Sequence, residues 1–413
     1  MVSSQTFVIV GGGLAGAKAA EALRDSSFDG QIILFAEEAH LPYERPPLSK
    51  EYLAGKKTLS DFTVQNSDWY HEHNVDLRLG TRVSAVDATE HTVGLPDGTT
   101  VHYDKLLLAT GSASKRPPIP GSDSAGVRYL RTYDDAEALN SVLAEGSSLA
   151  VVGAGWIGLE VAASARQRGV NVTVVESAKQ PLVAALGETV GEVFATLHRD
   201  HGVDLRLQAQ VEEISTSDGK ATGLTMRDGS KITADAVLVA VGAKPNIELA
   251  EQAGLSMGSG FQGGVLVDAS LVTSDPDLYA VGDIAAAEHP LFATRIRTEH
   301  WANALKQPAV AAAGMLGKPG EYAELPYFFT DQYDLGMEYV GYAPSFDRVV
   351  FRGDVGGREF VAFWLDADNR VLAGMNVNVW DVLDDVKALI KSRTPVDGDR
   401  LADPQSPLSE LLS

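Results

Sequence analysis

The sequence predicts an α/β fold: two doubly wound units, one inserted in the other, followed by a smaller α+β domain. Three observations predict it. A strand–glycine turn–helix–strand pattern occurs twice, at residues 7–37 and 149–176. Each copy is followed by a β-meander and then by an apolar strand that ends in glycine. Beyond residue 320 the helical period gives way to the two-residue alternation of an antiparallel sheet.

The first copy reads Phe7-Val8-Ile9-Val10, then GGGLAG, AKAAEALR and IILFAE; the second reads Leu149 to Val152, then GAGWIG, LEVAASARQRG and VTVVE. Both have the length of one βαβ crossover. Pro96-Asp97-Gly98 and Asp228-Gly229 mark the meander turns. LLLATG (106–111) and VLVAVG (237–242) are the closing strands. A further short strand, Leu278 to Val281, runs into Gly282-Asp283. A helix follows from about His300 to Leu316, with Pro308 placed to kink it or divide it in two. Gly317-Lys318-Pro319-Gly320 reads as a boundary. VVFRGDV and FVAFWL, with the Asp366 to Asn369 turn, form the antiparallel sheet. A helix near 380–391 sets Val382, Leu383, Val386, Leu389 and Ile390 on one face, acids first and lysines last, as the helix dipole favours. The last dozen residues read as a loose tail. The expected domains are 1–111 with 246–324, 112–245, and 325–413.

Composition narrows the function. Acidic residues number 56 against 34 basic, a net charge of −22, which argues against nucleic acid and against an anionic membrane surface. No apolar run approaches the roughly 18 residues of a membrane span. Met1-Val2-Ser3-Ser4 leads straight into a strand without the layout of a signal peptide, so the cytoplasm is the expected location. There is no cysteine. That excludes disulfides, thiolate metal sites and an iron–sulfur cluster held by this chain, and no metal centre is expected. It also excludes catalysis through a redox-active cysteine pair or a peroxidatic thiol.

The glycine motifs carry the chemistry. Gly11 permits the tight turn, Gly13 lets a pyrophosphate approach the backbone, and Gly16 lets helix and strand pack closely, with the helix N-terminus facing the phosphates. Glu37, at the end of the next strand, is placed to hold ribose hydroxyls. Gly153, Gly155 and Gly158 repeat the pattern, with Glu176 as the acid. A carboxylate there accepts bonds from a free 2′-hydroxyl and repels a 2′-phosphate, which favours NADH over NADPH. Two dinucleotide sites in one chain point to an electron relay, one nucleotide resident and the other exchanging. The glycines do not say which is which. Asp283, at a strand end facing the first unit, suits a ribityl chain, which only FAD has; otherwise it is a turn aspartate.

With these residues in view the chain resembles the oxygenase-coupled, NADH-dependent ferredoxin reductases of the putidaredoxin reductase and rhodocoxin reductase type. The resemblance covers nearly the whole chain. It rests on VIVGGGLAG, LPYERPPLSKEYLAG (41–55), LLLATGS, GAGWIGLEVAA, TSDPDLYAVGD (273–283), RTEHWANAL (297–305) and FFTDQYDLGMEYVGY. It implies a glutathione-reductase-like pair of Rossmann domains: FAD on the first unit with 246–324, NADH on the second, and a C-terminal interface domain from about 325. FAD contacts then fall on Ala15, Glu37, Lys50, Val83, Arg131, Asp283 and Trp301. Lys50 is implied beside the flavin N5 edge, paired with Glu160. Trp156 is implied over the flavin face. The helix near His300, with Thr298 as its expected cap, would aim its N-terminus at the charge of a reduced flavin. Putidaredoxin reductase carries a tryptophan, proposed to help electrons leave the flavin, where Phe329 stands.

Without cysteines, hydride reaching FAD leaves only to an external acceptor. The expected function is ferredoxin–NAD⁺ reductase, with a small [2Fe–2S] ferredoxin as partner, feeding a cytochrome P450 or a ring-hydroxylating oxygenase. A reductase for rubredoxin or monodehydroascorbate, and a redox-sensing scaffold resembling apoptosis-inducing factor, stay open as alternatives, as does the oligomeric state. Arg295, Arg297, Lys387, Lys391 and Arg393 are the expected basic docking cluster for an acidic ferredoxin.

Overall fold

The computed structural model describes residues 5–260 and 263–412; the Met1 to Ser4 leader lies outside them. The chain forms two compact units that interleave along the sequence. The first comprises Met1–Glu44, Leu59–Ala113 and Lys244–Pro326, the second Arg45–Thr58, Ser114–Ala243 and Tyr327–Ser413.

The first unit is built on a parallel sheet with strand order Leu278–Ala280, Lys105–Leu108, Thr6–Val10, Gln31–Phe35, Val75–Arg78. Its strands are near-continuous apolar runs because both faces are covered: Phe7, Val8, Ile9, Ile32, Leu34, Leu106 and Leu107 are wholly buried. The helix Leu14–Asp25 buries Ala17, Ala19, Ala20 and Leu23 and packs on the helix Trp301–Met315. Pro308 lies inside that second helix, which continues as one piece rather than dividing in two. Proline removes one hydrogen bond there, while Ala311, Ala312 and Met315, buried in the same core cluster, hold the following turns in place. Ala85–Asp87, Thr92–Gly94 and Thr100–His102 form the expected meander.

The second unit repeats the plan. Its parallel sheet runs Asp204–Arg206, Asn171–Val175, Ser148–Val152, Ala236–Val239, Val127–Arg128, and its meander is Val211–Ser217, Lys220–Met226 and Lys231–Thr233. It also contains a five-stranded antiparallel sheet in the order Tyr327–Gln332, Leu335–Gly341, Val371–Val377, Glu359–Leu365, Arg348–Asp354. The helix Leu383–Ser392 covers that sheet through Val386, Leu389 and Ile390. It starts at Leu383 rather than near 380, with Val382 as its N-terminal flanking residue.

The C-terminal residues are not a loose tail. They form the helix Gly398–Ala402 and a 3₁₀ turn at Leu408–Glu410, and Leu401, Leu408 and Leu411 are buried. One guanidinium explains the order. Arg352 donates to the carbonyls of Leu401, Asp403, Pro404 and Ser406 at 3.4, 2.6, 3.2 and 2.8 Å, using the planar fork only arginine has. Among the described residues no helix is long and apolar enough to cross a membrane.

Candidate functional site

Each glycine motif divides its glycines between packing and open space. A Cβ on Gly11 would lie 2.1 Å from the Ala109 carbonyl oxygen, at a φ of +126°. One on Gly16 would lie 2.0 Å from the Gly11 carbonyl oxygen. One on Gly13 would meet nothing within 4 Å. The second motif matches: Gly153 abuts the Ala240 carbonyl at 2.4 Å, Gly158 abuts the Gly153 carbonyl at 2.2 Å, and Gly155 faces open space. Packing therefore explains the outer glycines but not the middle ones. Gly13 and Gly155 are the N-caps of the helices Leu14–Asp25 and Trp156–Gln167, and neither helix has a side-chain cap or an acidic residue in its first turn. Such an end offers N–H groups and positive potential to an anion. These are cradles that a pyrophosphate fits. Gly12 is a packing glycine that spacing did not single out: its Cβ would lie 2.2 Å from that of Ala36.

The acids follow each cradle. Glu176 accepts from the Ala154 and Ala178 amides, both at 2.8 Å, which pins its carboxylate at the mouth of the second glycine turn. Glu37 is exposed and lies 3.3 Å from Arg82. In the first unit, Gly282 lies beside Ala15, a Cβ on it reaching 3.7 Å from the Ala15 side chain. The Gly282 amide donates to Gln307 of the helix Trp301–Met315 at 2.7 Å, and the next residue, Asp283, is buried. Val83 is buried in the same core. Trp301 donates from its indole to Glu44 at 3.0 Å. In the second unit the Arg131 amide donates to Asp135 at 3.0 Å and its carbonyl accepts from Arg45.

Lys50 and Glu160 meet inside the second unit. The helix Trp156–Gln167 carries Glu160 and Ser164 one turn apart, on the same face. Ser164 donates to the carbonyls of Ser49 at 2.8 Å and Lys50 at 3.3 Å, which fixes the turn Pro46–Ser49 against the helix. Lys50 Nζ then lies 4.0 Å from Glu160, 4.0 Å from Asp331 and 4.2 Å from the centre of the Phe329 ring. Both Lys50 and Glu160 are 7% exposed. Burial pushes the Glu160 carboxyl above its ordinary range, and Lys50, Ser49 and Thr330 push it back down. A buried ammonium of this kind requires a carboxylate partner, and here it has two. Trp156 packs against Phe328 and Phe194, with ring centres 4.8 and 5.8 Å away.

The model of the pyridine nucleotide-disulphide oxidoreductase family matches residues 5–308, and that of the reductase C-terminal family matches residues 327–412. The ferredoxin–NAD⁺ reductase component of the anthranilate 1,2-dioxygenase system of Burkholderia cepacia is 40% identical over 413 residues, all of both chains. Rhodocoxin reductase of Rhodococcus erythropolis is 40% identical over 90% of this chain and 86% of its own. The chain belongs to the oxygenase-coupled ferredoxin reductases. The structure of the covalent putidaredoxin reductase–putidaredoxin complex superposes with a TM-score of 0.94 at 37% identity, over 99% of this chain and 98% of that one.

Two expectations about this ferredoxin reductase's polar groups need correction. Thr298 does not cap the helix Trp301–Met315; His300 is the N-cap, without a side-chain cap bond. The Thr298 hydroxyl and carbonyl are both taken by the buried Asn303 amide, at 2.9 and 3.0 Å. Arg297 is not a surface docking charge. Its side chain is 10% exposed and donates to the Asp283 carbonyl at 3.0 Å and to Glu299 at 2.8 Å. Arg295 pairs with Glu288 at 2.5 Å and donates to the Val267 carbonyl, and Lys387 pairs with Asp384 at 3.0 Å. Both cations stay part-exposed, so the expected docking cluster loses Arg297.

Reading the sequence also missed the groups around Glu160. Ser49, Thr330, Gln332 and His198 join it by hydrogen bonds. The signal was the spacing of Thr330 and Gln332, two apart on a strand and so on one face. His198 is wholly buried, and burial pushes its imidazole down to about 4. Its proton affinity is thus lower folded than unfolded, so it adds stability above the ordinary histidine range and loses it as pH falls from about 6.5 to 4. Thermal unfolding midpoints should drop across that window. In His198→Asn the drop should be shallower, by up to ~3 kcal/mol of stability across the window; equal slopes would refute the buried neutral imidazole.

Proposed function

We propose that this chain is a ferredoxin–NAD⁺ reductase that takes hydride from NADH onto a resident FAD and passes electrons singly to a small [2Fe–2S] ferredoxin serving a cytochrome P450 or ring-hydroxylating oxygenase. The observation that carries it is two open glycine cradles in a chain without any cysteine. The family's disulfide chemistry is thereby closed to it, and an external acceptor must take the electrons. The names of its relatives, ferredoxin–NAD⁺ reductase components of dioxygenase systems among them, support the same reading.

The residues divide as follows. Gly11, Gly13, Ala15, Gly16, Glu37, Val83, Asp283 and Trp301, with Lys50 and Arg131, hold the FAD; the domain formed by 1–111 and 246–324 is its main seat. Gly153, Gly155, Gly158 and Glu176, in 112–245, hold NADH. Residues 325–413 form the docking domain. When bound, FAD accepts a hydride and releases electrons one at a time. Lys50 supplies positive charge at the reacting edge, and Glu160 and Asp331 hold that ammonium in place. Glu176 accepts the 2′-hydroxyl of NADH and repels the 2′-phosphate of NADPH. The cytoplasm, where NADH is made, is the location assigned.

The test is reconstitution. The purified protein should carry FAD and be reduced faster by NADH than by NADPH, on the order of 100-fold, the effect of placing like charges in contact. It should then reduce a [2Fe–2S] ferredoxin from an oxygenase system. Equal use of both nucleotides would remove Glu176 from its role. NADH oxidation without transfer to any ferredoxin would remove the proposed activity.

A further inference from the structure

We propose that Thr330, Gln332 and His198 are positioning residues, a one-way hydrogen-bond chain that keeps the Glu160 carboxylate ionised and aimed at Lys50. The proposal deepens, and rests on, the assignment of Glu160 to the hydride-transfer site. The chain lies wholly within the second unit. Thr330 donates to Glu160 Oε1 at 2.6 Å, Gln332 Nε2 donates to Thr330 Oγ1 at 3.2 Å, and His198 Nε2 lies 2.8 Å from Gln332 Oε1. At the outer end the Tyr333 hydroxyl lies 3.4 Å from His198 Nδ1, and the Tyr333 ring stacks on the part-exposed His201 at 3.7 Å. Thr330 is wholly buried, and Gln332, His198 and Glu160 nearly or wholly so.

The direction follows from what each atom can do. An amide nitrogen only donates, so Thr330 Oγ1 accepts from Gln332. Its one hydrogen is left for Glu160. An amide oxygen only accepts, so His198 must carry its proton on Nε2. The neutral ring then has Nδ1 free to accept from Tyr333. Four donors in series all point toward Glu160, and Ser49 adds a fifth from the other side, to Oε2 at 2.5 Å. Turning the Gln332 amide over reverses this. Its oxygen would claim the Thr330 hydrogen, and Glu160 would have to supply a proton to Thr330, which requires the neutral acid. The polarity of the chain and the charge on Glu160 are therefore one variable. A buried carboxylate otherwise drifts toward the neutral form, and a neutral Glu160 would release its hold on Lys50. The charged groups facing Glu160 are Lys50 from the Pro46–Ser49 turn and Asp331 from the strand Tyr327–Gln332. The charge facing His198 is that of His201, when protonated.

Two spectroscopic quantities test this without turnover. Carboxyl-labelled glutamate NMR of the flavin-loaded protein gives the Glu160 titration, assigned by its loss in Glu160→Gln. Nitrogen-labelled histidine gives the His198 tautomer. The wild type should show an ionised Glu160 at neutral pH and His198 protonated on Nε2. Thr330→Val and Gln332→Leu should raise the Glu160 midpoint by about one pH unit or more, the size of a lost hydrogen bond to a charge. Thr330→Ser should restore it. The pH profile of flavin reduction by NADH should move by the same amount, with the nicotinamide dissociation constant unchanged. Should Gln332→Leu fail to fold, the Thr330→Val and Thr330→Ser pair reads the same quantity. An unmoved Glu160 midpoint in the folded variants, or a His198 proton on Nδ1, overturns the chain. A shifted midpoint combined with wild-type flavin reduction in Glu160→Gln supports the chain and overturns only the assignment of Glu160 to hydride transfer.

Discussion

Gly13→Val should yield a folded, colourless protein. The Gly13 backbone has φ −90° and ψ −170°, extended values open to any residue, and a side chain there meets no protein atom. Nothing in folding opposes the valine. What opposes it is the diphosphate that the open space accommodates. Flavin affinity should fall by on the order of 100-fold or more, ~3 kcal/mol, with circular dichroism and unfolding of the apoprotein unchanged. Gly16→Val is the contrasting case. Its Cβ would stand 2.0 Å from the Gly11 carbonyl oxygen and 3.1 Å from a Leu34 methyl, and the backbone cannot yield. That variant should fail to fold. Flavin absorbance per mole of folded protein separates the two, and a Gly13→Val protein that keeps a full complement of FAD would show that the cradle lies elsewhere.

Glu160→Gln should slow flavin reduction by NADH by on the order of 100-fold, the scale on which misplacing a group at the reacting centre acts. The substitution keeps the shape and one oxygen to accept from Thr330, turns the Ser49 contact to an amide nitrogen that can only donate, and removes the charge. Lys50 keeps only Asp331, whose side chain is 64% exposed and holds it weakly. FAD should stay bound, because Glu160 belongs to the helix of the second cradle and not to the first. Lys50→Ala should do more, altering the flavin spectrum and weakening FAD retention. It leaves Glu160 buried without its cation, and breaking a buried pair from one side costs about 3–5 kcal/mol. Stopped-flow reduction monitored at the flavin band measures both, and wild-type rates in both variants would exclude the pair from catalysis.

The two variants draw on parts of the molecule that were not equally legible in the sequence. The glycine cradles were readable from spacing, because part of their constraint lies within the motif: Gly16 and Gly158 meet the carbonyls of Gly11 and Gly153, although the Ala109 and Ala240 carbonyls that crowd Gly11 and Gly153 come from distant strands. The Lys50–Glu160 pairing was not. Those residues are far apart in sequence, and only the resemblance joined them. What brings them together is Ser164, which grips the backbone of the Pro46–Ser49 turn. The Thr298 cap failed because Asn303, within the helix, competes for the same hydroxyl. Arg297 failed as a docking charge because the carbonyl of Asp283, 14 residues earlier, claims it. The tail failed because its buried leucines, Leu401, Leu408 and Leu411, are separated by Pro404, Pro407 and short polar residues that read as irregular chain. Their order comes from a single distant arginine.

The interleaving of the two units sets a condition on synthesis. The chain passes between them at 44/45, 58/59, 113/114, 243/244 and 326/327. The first unit cannot close its sheet until Leu278–Ala280 has been made, and the second waits for the strands after Tyr327. The strand Thr6–Val10 emerges from the ribosome early and must keep its apolar faces covered while hundreds of residues follow, since loop closure over such separations is slow. Neither unit can be expressed as a simple truncation, and neither can be exchanged between proteins as a cassette. A nascent chain halted before Leu278 holds an open sheet in the first unit and lacks the whole antiparallel sheet of the second.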